Sequence, residues 1–527
     1  DTLRDGMQYL AGLTTLDDQL VHVAAQLARR IGTVVTADNR HRAVLKLLHR
    51  LRAWVWDRAQ HVLDVDAGLR RAFIMVDLAV TVIAGMIEDG LIGDEPDWFE
   101  LDDEGFRSWL ARHGAHQRTI DSAPIASAYA LAFGEGTELG AGTALQGLLR
   151  LLLGYKGSIF WEMQAGMGDA LFAPLYEVLR RRGVRFHFFH RVDRLELSAD
   201  RQRVARIHIG RPIATKDDAP YRPLVDVKGL PCWPSAPLHD QLDGGDELAA
   251  AGDDLEDWWT PWRDRVAPRV LEDGRDFDQV ILGTAVATFP YVAAEVMAAS
   301  PRFDATARRV TTTQTQAVQL WLRPTLARLG FPYPRPIVGS YALWLDTWAD
   351  LTHLIAREDW PAGHTPGHLA YLVGRLLDDE PLPPRDVHGY TARQLARVKA
   401  SALRWLRTEV APLWPHGTLS NDPRCLNWYL LVDDAERDGE ARLDAQHLRA
   451  TVNPSERYVL SEPGTTRYRL RAEDTGIANL LHVGDHTFTG LNAGCVEAAV
   501  MSGMNAAQHL CGHPVVIAAD ALPRGAR

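Results

Sequence analysis

Residues 479–503 are the most informative stretch of the chain and read NLLHVGDHTFTGLNAGCVEAAVMSG. An apolar run typical of a buried strand comes first, a glycine-bounded turn follows, and 492–510 has the pattern of a helix. Asn492 is a preferred N-cap residue, so we expect the first amide groups without intrahelical partners near 493–495. A helix start of this kind stabilises negative charge in a ligand.

The predicted helix carries small residues on one face, which are Gly494, Ala498, Ser502 and Ala506. Small side chains at this spacing allow the helix backbone to pack unusually close to another surface. Asp485 follows directly after the predicted strand, where α/β sheets place residues that contact ligands. The segment therefore predicts a ligand site between the end of a buried strand and the start of a helix.

The chain has 527 residues, 46% of them hydrophobic, and a net charge of −11. This composition supports a large core, and the acidic balance argues against a nucleic-acid or anionic-membrane binder, which needs a basic surface. The four cysteines lack CxxC spacing, so neither a zinc finger nor a disulfide framework is predicted. The most apolar stretch, 72–87, is shorter than the roughly 20 residues of a bilayer crossing. We expect a soluble, cytoplasmic protein without a transmembrane segment.

Hydrophobic periodicity predicts a helical N-terminal region followed by α/β structure. The predicted helices are His41–Gln60, Asp66–Asp89, Asp102–His113, Ala170–Arg182 and Thr391–Val410. Gly183 is expected to end the fourth of these helices, as glycine does after a C-cap. The predicted strands are Val184–His190, Val192–Leu197, Phe277–Leu282, Thr311–Leu322 and Asn479–Val483. Residues 212–275 show little periodicity and are expected to be irregular.

The run from Gly484 to Gly503 resembles the C-terminal flavin-binding signature of FAD-dependent oxidoreductases of the amine oxidase, phytoene desaturase and hydroxysqualene dehydroxylase superfamily. Residues 156–186 are similar to the middle region of that superfamily, and Phe277–Gly283 is similar to the strand that returns the chain to the FAD domain. The resemblance implies an α/β fold: a Rossmann-like, glutathione-reductase-like FAD domain built from separate segments, an α+β substrate domain and a helical cap.

On this basis the chain is expected to divide into segments that alternate between the FAD domain and other units. The predicted segments are 1–150 for the helical cap and substrate region, 151–211 for the middle FAD segment, 212–275 for the insertion, 276–295 for the return strand, 296–450 for the substrate domain, 451–512 for the C-terminal FAD-binding segment, and 513–527 for a tail.

The resemblance also implies a cofactor, FAD, and residues that hold it. Asn492 and Ala493 would contact the flavin where the reduced ring carries negative charge, and Gly484 and Asp485 would lie by the ribityl–diphosphate. The remaining implied cofactor residues are Gly490, Val192 near the adenine, and Gly166 and Met167 in the glycine-rich turn. Hydride transfer to a flavin depends mainly on alignment in a dry pocket, so no catalytic acid or base is assigned. The pocket candidates are Tyr155, Trp161, His486 and Phe488.

One departure from the superfamily pattern is serious, because no strand–GxGxxG–helix unit is present. The near matches at Gly134–Leu139 and Gly166–Leu171 both lack the third glycine. We therefore expect the diphosphate-binding unit to be absent from this chain and to be supplied by a separate fragment or subunit, with removal by cleavage or loss from the sequence as alternatives. The expected function is oxidation or desaturation of an organic, hydrophobic small molecule. Two alternatives stay open, a flavin amine or amino-acid oxidase and a non-catalytic subunit that has kept the fold.

Two histidines and a cysteine in residues 479–503 are interpreted as structural residues and not as metal ligands or redox groups. His482 and His486 are four residues apart with Asp485 between them, but on a strand and turn this spacing does not converge on a metal as it does on a helix. No metal site is therefore predicted. Cys495 lies where a helix start favours a thiolate, yet a small packing residue is the preferred interpretation over a thioether to flavin or a redox group.

Overall fold

A computed structural model describes residues 38–61, 63–92, 98–151 and 161–517. The α-helices in these ranges are α1 (Asp38–Ala59), α2 (Ala67–Glu88), α3 (Phe106–Arg112), α4 (Gln117–Ile120), α5 (Ala123–Leu131), α6 (Ala141–Leu149), α7 (Ala173–Arg181), α8 (Gly245–Ala251), α9 (Phe289–Val292), α10 (Ala294–Ala299), α11 (Pro301–Arg309), α12 (Leu326–Leu329), α13 (Tyr390–Thr408) and α14 (Val496–Cys511).

The strands in the described ranges are β1 (Arg191–Leu197), β2 (Val204–Arg211), β3 (Val225–Val227), β4 (Leu230–Cys232), β5 (Val266–Glu272), β6 (Val280–Leu282), β7 (Thr312–Leu322), β8 (Ile337–Val338), β9 (Thr347–Asp350), β10 (His368–Leu376), β11 (His447–Thr451), β12 (Tyr458–Val459) and β13 (Leu480–His482). They form a mixed α/β structure with several sheets: β1–β2–β5, a large sheet in the order β11–β7–β10–β9–β8 with β12 added to β7, the pair β13–β6, and the hairpin β3–β4.

Helices α1 to α6 form the helical block, as the apolar periodicity predicts. Asp66 is the N-cap of α2, and its side chain accepts a hydrogen bond from the amide of Leu69 at 2.9 Å. The block has its own core, which includes the fully buried Trp109, Tyr129 and Leu145. The predicted helices at 41–60 and 66–89 are therefore confirmed, whereas the third begins at Phe106, later than predicted, because a short 3₁₀ helix, Trp98–Leu101, and a turn come before it.

The pair β13–β6 is parallel and lies beside the antiparallel sheet β1–β2–β5. Asn479 connects the two, because its side chain exchanges hydrogen bonds with both the amide and the carbonyl of Val204, at 2.8 and 3.0 Å. A shared core contains Leu195 of β1, Val280 of β6 and Leu480 of β13, covered by α9–α11. The predicted strands around 277–282 and 479–483 are thus confirmed in shorter form.

The large sheet is built on β7, where Thr311–Leu322 was predicted as a strand. One face of it, with Val318 and Leu320, is buried against α13, which contributes Val398 and Leu406. The residues on the other face are only half-buried, so buried and half-buried residues alternate along β7 and in the middle of β10. The alternation of residue types predicted from the sequence therefore matches an alternation in burial: one face of the sheet is covered by α13, and the other is partly exposed.

Two expectations are wrong. The predicted strand Val184–His190 is not formed: 184–187 is exposed and pairs with no strand among the described residues. A strand needs a hydrogen-bonding neighbour, and periodicity alone does not show whether one is present. The expected irregular stretch 212–275 includes α8, the hairpin β3–β4 and β5, which pairs with β2 in an antiparallel register with one irregularity between Ile209 and Arg211.

Within the described ranges, none of the helices is both long enough and apolar enough to cross a membrane.

Candidate functional site

Gly484 follows β13 and lies where the chain passes close to two other groups. Its φ is +148°, and a Cβ at this position would lie 2.7 Å from Nδ1 of His486, so glycine is required. Its amide donates to Oγ of Ser502 at 3.1 Å, which connects the end of β13 to the middle of α14. The small face of α14 is buried as predicted, with Ala498, Ser502 and Ala506 at most 2% exposed.

Asn492 does not cap the helix, which corrects the sequence prediction. It has φ +51°, in the left-handed region, whereas an N-cap residue needs an extended backbone. Its Oδ1 accepts a hydrogen bond from the amide of Thr489 at 2.9 Å, and its carbonyl accepts from Oγ of Ser461 at 2.9 Å. Asparagine tolerates the left-handed conformation and closes tight turns by such bonds, so here it closes a turn.

Cys495 is the N-cap of α14 instead, and the helix begins at Val496. The Cys495 sulfur accepts a hydrogen bond from the amide of Ala498 at 3.4 Å. Burial raises the pKa of Cys495, so the thiol remains protonated. The first-turn amides therefore lie about one turn later in the chain than predicted, and residues 484–495, here named the β13–α14 junction, are a compact loop.

Tyr458 holds this junction against β12. A Cβ on Gly494 would lie 2.6 Å from Cζ of Tyr458 and 2.8 Å from the carbonyl oxygen of Val459. The Tyr458 hydroxyl donates to the carbonyl of Gly494 at 2.5 Å, and burial raises its pKa. The Tyr458 ring also contacts Phe133 of the helical block, with centroids 4.7 Å apart. Gly494 therefore allows a contact that no larger residue would permit.

Arg469 is 3% exposed and fixes the other side of the junction. Its Nη1 donates to the carbonyl of Asp485 at 2.6 Å, and its Nη2 donates to the carbonyl of Leu460 at 3.0 Å. Burial lowers the pKa of this guanidinium to about 10, which leaves it charged at neutral pH. Sequence reasoning missed Arg469, since nothing in the sequence separates it from the many other arginines.

The carboxylate of Asp485 lies in the junction, half-buried. Burial raises its pKa, and the charge of Arg469 acts in the opposite direction. A partly desolvated carboxylate beside a helix start and a buried guanidinium is a group placed to accept hydrogen bonds from a ligand's hydroxyl or amide.

His482 and His486 are in hydrogen-bonding contact with each other. His482 Nε2 is 3.0 Å from the carbonyl of Arg471, so this nitrogen carries the proton, and Nδ1 is left to accept from His486 Nε2 at 3.2 Å. Both rings are fully buried, and burial lowers both pKa values, that of His482 to about 4. Nδ1 of His486 has no hydrogen-bond partner among the described residues and lies beneath Gly484.

The histidine pair predicts acid sensitivity. Histidine in the unfolded chain binds a proton below about pH 6.5, but native His482 does so only near pH 4, so the free energy of unfolding falls as the pH drops through this window. The loss for His482 is about 3 kcal/mol. We expect the thermal midpoint to drop between pH 7 and pH 5 by clearly less in His482→Asn than in the wild type. The exposed-site control His509→Gln should follow the wild type, and equal drops in all three proteins would contradict the assignment.

The other sequence-predicted residues lie in different surroundings. Phe488 is 7% exposed, and its amide donates to the carbonyl of Leu470 at 2.8 Å. Trp161 is 74% exposed, and Tyr155 lies outside the described residues. Gly490 is buried and Ala493 is half-buried, both within the junction.

The remaining cofactor candidates come from the middle segment. Val192 of β1 packs against the core that contains residues of β6 and β13. Gly166 and Met167 are exposed and precede a π-helical turn, Gly168–Phe172, whose Asp169 accepts a hydrogen bond from the amide of Trp233 at 2.8 Å. The glycine-rich turn is therefore beside the hairpin β3–β4.

Comparison with known proteins covers the part of the chain that contains the junction. Residues 269–511 match the sequence model of the family described as flavin containing amine oxidoreductase. This part of the chain is thus similar to flavin-containing amine oxidoreductases. The match contains β6, the large sheet and the whole β13–α14 junction. The protein is thus an oxidoreductase of the FAD type, and the cofactor expected from the sequence agrees with the family.

Two other comparisons complete the picture. A crystal structure of an oxidoreductase from Methanosarcina mazei is similar over 81% of this chain and 72% of that chain, with 10% sequence identity and a TM-score of 0.44. No curated protein matches the chain.

The residues of the junction fit the cofactor of this amine oxidoreductase family. Gly484 and Gly494 keep the backbone bare at two close approaches, Asp485 offers a carboxylate, and α14 directs its positive end at the loop. A flavin nucleotide carries hydroxyl donors and anionic groups, which match these partners.

Proposed function

We propose that this oxidoreductase holds FAD at the β13–α14 junction and uses it to oxidise or desaturate a hydrophobic organic substrate. The observation that supports this most strongly is the junction itself, where two glycines with blocked Cβ positions flank a half-buried carboxylate at a helix start. FAD, when bound, supplies the hydride acceptor of the reaction. Everything else required of the protein is binding, orientation and exclusion of water.

In this proposal each residue of the junction has a separate role in holding the cofactor. Asp485 accepts hydrogen bonds from the hydroxyl groups of the cofactor's sugar chain, and Gly484, whose missing Cβ makes room for the His486 ring, lets the backbone take the turn that presents Asp485. Asn492 keeps the turn closed through Thr489, so that Ala493 and the first turn of α14 present their amides to the anionic edge of the flavin. Arg469 does not contact the cofactor in this proposal; it positions Asp485 by donating a hydrogen bond to its main-chain carbonyl.

We further propose that the FAD domain is Rossmann-like and combines segments 151–211, 276–295 and 451–512. The parallel pairing of β6 with β13 supports this, because these strands come from two of the three segments. Val192 of the first segment joins their core. Segment 296–450, which contains most of the large sheet, would be the substrate domain, with the helical block as its cap.

The diphosphate-binding unit of this domain is proposed to come from a separate fragment or subunit. Support comes from a surface that a strand and helix would cover: 184–187 is exposed and lies in no strand of the described residues, and apolar side chains are exposed beside it. These exposed side chains are Phe172, Leu175, Val178, Leu179, Val184 and Phe186. Intact-mass measurement of the purified assembly should find a second polypeptide of about 100 residues. One FAD bound to this chain alone would contradict the proposal.

The open face of the large sheet supports a slim, hydrophobic substrate. Small or apolar side chains on this face are half-buried: Thr315, Ala317, Thr347, Ala349, Tyr371 and Val373. The same face also carries Arg375, His447 and Arg449, which pair with Thr315, Gln319 and Ala317 of β7. The apolar part of the surface, over β7, β9 and β10, suits a hydrophobic substrate. An amine substrate is the second candidate, favoured by the family's description. Anaerobic bleaching of the flavin by one class of compound and not by the other distinguishes them.

Asp485→Asn tests the cofactor site. The change removes a charged hydrogen-bond acceptor, whose loss costs about 1.5–3 kcal/mol, so we expect FAD to be retained at least tenfold more weakly. The measurement is FAD released per chain from the purified assembly, together with the affinity on reconstitution. Asp246→Asn, the same change at an exposed site on α8, should keep its flavin. Unchanged FAD affinity in Asp485→Asn would refute the proposed role.

A further inference from the structure

Two carboxyl groups meet where the helical block contacts the large sheet. Glu135 lies between α5 and α6, and Asp346 lies just before β9 and is 2% exposed. The two carboxyl groups are close enough to influence each other's pKa. Both carboxyl oxygens of Glu135 and Oδ2 of Asp346 are buried and have no hydrogen-bond partner among the described residues. Two buried carboxyl groups this close together cannot both ionise cheaply, so the pair shares one proton.

No neighbouring cation compensates the two carboxyl groups well enough for both of them to be ionised. Arg375 of β10 is the nearby cation, but its Nη1 donates to the main-chain carbonyl of Glu135 at 2.8 Å and its Nε donates to Oγ1 of Thr313 at 2.8 Å. Asp378 and Glu462 also attract Arg375, and Arg457 repels it. Burial, and then the charge of Asp346, raises the pKa of Glu135 to about 8, with Arg375 opposing the shift.

The pair is located at a joint between two parts of the protein. A Cβ on Gly136 would lie 3.2 Å from the ring of Trp344, which shows how closely the turn after α5 approaches the sheet. Phe133, two residues before Glu135, contacts Tyr458, which donates to Gly494. The turn that carries Glu135 is thus packed against a residue that positions the β13–α14 junction.

We propose that Glu135 and Asp346 form a proton-linked joint that holds the helical block on the large sheet while the shared proton is present. When the proton leaves, two carboxylates face each other in a buried space, and their repulsion loosens the turn at 133–136. The native state binds this proton up to about pH 8, whereas the carboxyl of an unfolded chain loses it near pH 4.5. Stability from the joint is therefore complete in acid, falls as the pH rises through this window, and is absent above it.

Glu135→Gln provides the test, because the amide donates to Asp346 without a proton to lose. We expect the thermal midpoint of the wild type to fall by a few degrees more than that of Glu135→Gln between pH 6.5 and pH 8.5. Over the same range, hydrogen exchange at 123–136 should accelerate severalfold in the wild type only. Glu436→Gln, the same change at an exposed site, should behave as the wild type. These measurements need no cofactor, so they are independent of the flavin site.

Asp346→Asn gives a second route to the same question. It removes the second charge, so the pH dependence of the midpoint should shrink as in Glu135→Gln. If both variants lose as much stability as the wild type between the two pH values, and exchange at 123–136 is insensitive to pH, the joint is not proton-linked and the proposal is overturned.

Discussion

Gly494→Ala is expected to destabilise the protein by about 2–3 kcal/mol and to abolish flavin retention. The added Cβ would lie 2.6 Å from the Tyr458 ring and 2.8 Å from the backbone oxygen of Val459, and backbone cannot move aside as a flexible side chain does. The turn would have to shift away from β12, and the helix start would shift with it. Calorimetry and the FAD content of the purified assembly measure the two effects.

Gly503 provides a matched control on the same helix. A Cβ at Gly503 meets nothing within 4 Å, so Gly503→Ala removes a helix-interior glycine without a clash. This change should leave flavin content unaltered and raise stability by about 0.5–1 kcal/mol. If the two variants have equal midpoints and equal flavin content, the close approach at Gly494 is not important for the site.

Arg469→Met is expected to lower the free energy of unfolding by about 3 kcal/mol and to weaken flavin binding as well. The substitution keeps much of the buried volume but leaves the carbonyls of Asp485 and Leu460 without their donor. Buried acceptors without partners carry the full cost of their desolvation. Urea unfolding gives the stability change, and FAD titration gives the change in affinity.

Arg302→Met is the matching control on an exposed arginine. Its guanidinium pairs with Asp474 at 3.2 Å with 68% of the side chain exposed, and such pairs contribute about 0–1 kcal/mol. We expect a small stability change and normal FAD affinity. A similar loss in both variants would mean that Arg469 contributes general charge balance and does not fix the junction.

The helices and long strands were predictable because their signals are local. Helix α2 has an aspartate cap followed by an apolar run, and its observed start at Ala67 follows from that cap. Strand β7 alternates over eleven residues, and the alternation reports directly which side is buried. The strand–turn–helix order of the junction was visible for the same reason.

The predictions that were wrong or missed concern residues whose structure depends on partners elsewhere in the chain. Asn492 has the composition of an N-cap, but Thr489 and Ser461 offer it bonds that favour a closed turn. Val184–His190 has the composition of a strand, but pairing requires a neighbour. Arg469 and the pair Glu135–Asp346 combine residues that are far apart in the chain or indistinguishable from others of their type. Single-sequence patterns carry no information about such contacts.

The central claim is that the β13–α14 junction faces the flavin, and a crystal structure of the FAD-reconstituted assembly tests it most directly. We expect the flavin ring beside 492–497, with backbone amides within hydrogen-bonding distance of its pyrimidine edge and the Asp485 carboxylate bonded to the sugar chain. A flavin bound elsewhere, with the space in front of this junction filled by side chains, would contradict the account.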